Sequence, residues 1–172
     1  MSSQTPAAQR TAAAPTTADV WRAIEKSSNA VMAHVTPRGE PRTSCVVYRA
    51  LDRAIYVAVA QDSWKARHVA DDGRVSVTVL VHRGGVLALM APIPPASITF
   101  HGTADVLAAD DPQVAPMLAS LGPLIPPDSA PSSALIRVRP EGEFLCYGIG
   151  VPLMTMRDPN AARSRVPVEP TA

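Results

Sequence analysis

Valine occupies positions 75, 77, 79 and 81 of the stretch that begins at Arg74. A period of two places all four β-branched side chains on one face of an extended strand, whereas a helix would scatter them around its axis. The same period recurs along the chain, broken each time by turn residues, and this repetition restricts the fold more than any other feature. Residues 30–35 and 42–48 flank Thr36-Pro37-Arg38-Gly39-Glu40, which reads as a hairpin turn. A second turn at 49–53 leads into a strand at 54–60, and 96–107 reads as another strand with a bulge at Gly102. The last two strands are expected at 134–139 and 143–149, joined by Pro140-Glu141-Gly142. Six or seven strands at hairpin spacing predict a mainly β chain, an antiparallel barrel capped by short helices.

Three helices are expected between the strands. Asp19 is the candidate cap of the first, whose apolar stripe is Val20, Trp21 and Ile24. The second follows Gln61-Asp62-Ser63 and stops at Asp71-Asp72-Gly73, with Gly73 in the left-handed position just past the helix. Asp110-Asp111-Pro112 opens the third, which carries Val114, Met117, Leu118 and Leu121. Residues 84–95 fit neither period cleanly and read as a crossover. Within 172 residues one domain is expected. It spans 19–157, preceded by a loose leader over 1–18 that is poor in packable side chains and followed by an extended or disordered tail over 158–172.

Several functions are disfavoured by composition. A net charge of +1 gives no basic face for nucleic acid. No basic segment followed by an apolar one opens the chain, and no apolar run approaches the ~20 residues of a membrane span, so a cytoplasmic protein without a membrane partner is expected. Cys45 and Cys146 sit in apolar runs and read as core thiols. His34, His68, His82 and His101 show no metal-ligand spacing, so no metal is expected, and neither His34 nor His101 is assigned a catalytic role.

The segment richest in chemistry runs from Ile55 to Val81. The strand Val57-Ala58-Val59-Ala60 delivers Ser63-Trp64-Lys65 onto the start of a helix. A hydroxyl, an ammonium two positions on and the free N–H groups of a first helical turn suit a phosphate monoester by dipole, donors and charge. The same residues also read as an N-capped surface helix with solvated Lys65 and Arg67.

In order and wording, this strand, the Ser-x-Lys pair and the Val-rich strand behind them, together with the hairpin from Ala30 to Thr43, resemble the FMN-binding split barrel of pyridoxamine 5'-phosphate oxidase-like proteins over roughly residues 19–107. The resemblance implies an antiparallel split β-barrel working as a homodimer with FMN at its interface. It places Ser63 and Lys65 on the FMN phosphate and Val57, Ala58, Val59 and Ala60 along the ring edge. Arg42, Thr43 and Ser44 would add phosphate and ribityl contacts, and Trp64 would join the cofactor-binding set. A deazaflavin is the alternative cofactor. Arg42-Thr43-Ser44-Cys45-Val46-Val47 stands where the vitamin B6 oxidases have an Arg-x-x-Leu-Leu-Lys segment, which weighs against that activity. Two functions are therefore expected of such a chain. One is a flavin-dependent oxidoreductase exchanging hydride with a small organic substrate. The other is a non-catalytic protein that sequesters flavin, deazaflavin or haem. The Pro-rich loops 90–97 and 122–133 would wall the substrate pocket.

Overall fold

The computed structural model describes residues 14–82, 95–121 and 133–169. The first thirteen residues of the expected leader, the crossover from 84 and most of both Pro-rich loops lie outside them. Seven strands form one antiparallel sheet: β1 (Asn29–Val35), β2 (Pro41–Leu51), β3 (Ala54–Ala60), β4 (Arg74–Val81), β5 (Ala96–Leu107), β6 (Ser133–Tyr147) and β7 (Arg163–Pro167). Their order is β3-β2-β1-β4-β5-β6-β7, and a further pairing of β3 with β6 closes the first six into a barrel. Strand β7 hangs on β6 outside the closure, within the segment expected as a tail. The expected split β-barrel is thus the observed fold.

Helix α1 (Thr17–Lys26) plugs the end of the barrel where β1 begins, burying Val20, Trp21 and Ile24, with Trp21 edge-on to Phe144 at 5.6 Å. Its cap is Thr16 rather than Asp19. The Thr16 hydroxyl accepts from the Asp19 N–H at 3.2 Å, and the Asp19 carboxylate accepts from the Thr16 N–H at 3.0 Å, a reciprocal capping box. Helix α2 (Trp64–Asp71) closes the opposite end through Ala66 and Val69. Helix α3 (Val114–Leu121) lies outside the barrel, where Val114, Met117 and Leu121 cover Tyr56, Leu107 and Leu135. Among the described residues no helix is long and apolar enough to cross a membrane.

Four further expectations need correction. The two strands expected at 134–139 and 143–149 are one strand that runs through Pro140-Glu141-Gly142. The irregularity expected at Gly102 belongs to its partner. Thr99 and His101 on β5 face Leu145 and Glu141 on β6, so β6 carries the extra residues and bends where Gly142 takes φ +69°. Gly73 does not adopt a left-handed conformation. It is needed for close approach instead, since a Cβ there would come 2.6 Å from the Ala104 carbonyl oxygen. Cys146 is buried, but Cys45 is exposed, because an apolar run on a strand alternates between faces and Val46 and Tyr48 take the inner ones.

Of the described glycines, Gly102 has the least room for a side chain, since a Cβ there would overlap the Arg139 carbonyl oxygen across the β5–β6 ladder. Backbone cannot yield as a flexible side chain does. Gly102→Ala is expected to lower the free energy of unfolding by about 1–3 kcal/mol, read as a reduced urea midpoint.

Candidate functional site

The barrel is closed incompletely between β2 and β3. These strands pair over only four positions, from Leu51 opposite Ala54 to Tyr48 opposite Val57. Beyond that point β2 pairs with β1 alone and β3 with β6 alone. Residues 41–47 and 58–60 therefore face each other across a gap, each with one ladder edge unused among the described residues. A ladder edge is a row of hydrogen-bond donors and acceptors at fixed spacing, which a flat polar ligand can meet in place of a strand.

Each side chain expected at the site has a definite place around this gap. Val57 and Val59 point into the barrel core, so only their backbone could meet a ligand. Ala58 is half-buried beside the α3 cluster and Ala60 is exposed, and their methyl groups leave room for close approach to the strand. The Ala60 carbonyl accepts from the Ser63 N–H at 3.0 Å, a tight turn that swings the chain onto α2. The Ser63 hydroxyl caps that helix, accepting from the Ala66 N–H at 3.2 Å. It keeps its own proton to donate. Lys65 places its ammonium 5.7 Å from the centre of the Trp64 ring and makes no salt bridge among the described residues.

Arg42, Thr43 and Trp64 come together on one cavity of about 550 Å3 between the β1–β2 turn and α2, which Thr36, Arg38 and His68 also line. Trp64 is 42% exposed there, although large apolar side chains usually bury more. The Arg42 guanidinium donates to Glu40 at 3.1 Å in an exposed pair, which is worth little and gives way readily. Ser44 faces inward, opposite Met32, and its hydroxyl is buried without a hydrogen-bond partner among the described residues.

Two residues that the sequence reading left unassigned belong to this end of the barrel. His34 is 2% exposed, its Nε2 lies 3.3 Å from Nδ1 of His68, and its own Nδ1 is buried without a partner among the described residues. The Trp64 ring lies 5.2 Å from that of His34 and 5.7 Å from that of His68. Nothing in the sequence announces the pair, because the two histidines are 34 positions apart and meet only when α2 folds over the end of β1. His101 is exposed on β5 and takes no part.

Burial, reinforced by His68 and then by Lys65, holds the His34 imidazole below its ordinary value of 6.5. An unfolded chain then takes up a proton at this site more readily than the native one, so stability increases with pH through this window. Acidification below pH 6.5 is expected to lower the thermal midpoint of the protein, and His34→Gln is expected to flatten that part of the profile, both read by calorimetry across pH.

The family model for pyridoxamine 5'-phosphate oxidase matches residues 17–146. No curated protein sequence matches the chain. Among solved structures, the haem storage protein HutZ from Vibrio cholerae is similar at a TM-score of 0.61 and 18% identity, covering 77% of this chain and 95% of that one. An FAD-binding protein from Mesorhizobium loti is similar at 0.59 and 18%, covering 74% and 91%. A protein described as an F420 reductase is similar at 0.55 and 19%, covering 72% and 93%. Identities this low establish a shared fold only.

Proposed function

The chain belongs to the pyridoxamine 5'-phosphate oxidase family, and on that footing we propose that it binds a flavin-type cofactor, FMN ahead of a deazaflavin, along the β2–β3 gap. The residues around the gap would hold and orient the cofactor, whose ring, when bound, would supply hydride transfer to or from a small organic substrate. The observation that carries this reading is the gap, with two facing unpaired backbone edges and a helix start bearing Ser63 and Lys65 at its mouth.

The residues present fit such a group. Among the described residues the buried Ser44 hydroxyl has no hydrogen-bond partner and the Lys65 ammonium no carboxylate partner, and a phosphate-bearing ligand would satisfy both. Ser63 would donate its hydroxyl proton while still capping α2. The unpaired edge at 58–60 would bond the polar rim of the ring, and the alanines there keep the strand accessible. The valines behind it keep the core side dry.

The outer face of β1, β2, β4 and β5 supports a homodimer. It carries Val31, Cys45, Val47, Thr78 and Thr99, short uncharged side chains that no described helix covers. A second copy seated on this face would turn the open gap into a pocket burying most of a ligand.

A second reading, retention of a flat ligand without turnover, draws on the likeness to a haem storage protein and on the His68 imidazole at the cavity wall. Reduction of bound flavin by NADPH, followed by reoxidation with candidate acceptors, separates the two. For the primary reading, the purified protein mixed with FMN is expected to show the shifted visible spectrum of a bound flavin. Lys65→Ala should weaken that binding by about 1.5–3 kcal/mol, the range for a charge-assisted contact. Unchanged affinity in the variant would remove the proposed phosphate anchor.

A further inference from the structure

Three rings, Trp64, His68 and His34, run from the surface into the end of the barrel. Imidazole nitrogens 3.3 Å apart, as in His68 and His34, need one proton between them, one ring donating and the other accepting. The inner ring is enclosed, while the outer one lines the cavity beside the β1–β2 turn. With Nδ1 of His68 directed at His34, only its Nε2 remains for anything that enters the cavity.

We propose that His34 and His68 form a proton-sharing pair, and that its outer member is the pH-responsive contact for an anionic, flat aromatic ligand lying against Trp64. This assignment rests on the reading of the α2 cavity as a ligand site, and adds the class of ligand and the group that tunes its affinity.

Burial keeps His34 neutral, so its Nε2 can accept the Nδ1–H of His68. His68 can then carry a positive charge with both of its N–H groups bonded, one inward to His34 and one outward to the anion. A proton on His34 would stand close to any charge on His68 and to Lys65, which disfavours it.

Other charges set the sign of the effect. Arg38, Glu40 and Arg42 face the cavity from the hairpin, with Glu40 bonded to Arg42, and Lys65 faces the pair from α2. Arg67 and Arg74 are engaged elsewhere, by the Asp62 carbonyl and by Asp72. The fixed balance is therefore cationic, and each proton gained by the histidines strengthens the attraction for an anion. Trp64 supplies an exposed aromatic face for stacking, which selects a flat ligand over a compact one.

Benzenesulfonate is a suitable probe, because its charge is constant across neutral pH and any pH dependence must come from the protein. NMR titration of the full chain is expected to shift the Trp64 indole signal, with affinity rising about tenfold from about pH 8 to about pH 6. His68→Gln should lose that rise. His34→Gln should retain a rise but move its midpoint. Histidine ring nitrogen signals of the free wild-type protein, followed across pH, should show the two rings titrating together. Parallel pH profiles in wild type and His68→Gln, or independent titration of the two rings, would overturn the proposal. FMN affinity measured on the same samples separates the two readings. Loss of FMN binding with the sulfonate response intact sinks only the flavin assignment, and the converse sinks only the histidine pair.

Discussion

Strand β2 leaves β3 after four residue pairs, and the rest of the molecule is arranged around that departure. Tyr48 sits at the last pair. It is buried, its hydroxyl donates to the Ile24 carbonyl at 2.6 Å, and burial raises its pKa far above the ordinary value, so it remains a neutral donor. The bond ties α1 to β2 at the point of divergence and fixes where the gap begins. On the other side, β3 is held by β6 over six pairs, so the unpaired edge at 58–60 belongs to a well-supported strand. A gap between two firm walls holds its unpaired groups at fixed spacing, whereas the same groups on a loose edge would be an aggregation hazard.

The side chains proposed to meet a ligand lie on the least anchored of the three α-helices. Helix α2 has eight residues and buries only Ala66 and Val69, yet it carries Trp64, Lys65 and His68 and is capped by Ser63. Short elements with few buried contacts open at lower free energy than the barrel strands around them. Ligand contacts made from α2 would therefore also stabilise it, which couples occupancy of the cavity to the order of that end of the barrel.

Much of the barrel was legible because strand periodicity survives in the sequence wherever one face is buried, as in Val75, Val77 and Val79. The errors came from residues that serve two purposes. Pro140-Glu141-Gly142 has the composition of a hairpin turn but forms the bend of one long strand, because β5 continues past it and supplies the partner groups. Cys45 lies in an apolar run, yet its side chain is on the outer face. The Ser-x-Lys pair reads in the sequence both as a phosphate motif and as the start of an N-capped helix, and the structure shows the cap, with the Ser63 hydroxyl accepting from the Ala66 N–H. The His34–His68 contact was invisible, since no local spacing encodes a meeting between the end of one strand and the middle of a distant helix.

Backbone amide hydrogen exchange with and without FMN tests the central claim most directly, since it reads the gap itself rather than any one side chain. Binding along the gap predicts slowed exchange at those amides of residues 58–60 and 43–47 that point into the gap, alternate positions along each strand, the others being bonded already to β6 and β1. Protection confined to another surface, such as the outer face of β5, β6 and β7, with exchange at 58–60 unchanged, would contradict it.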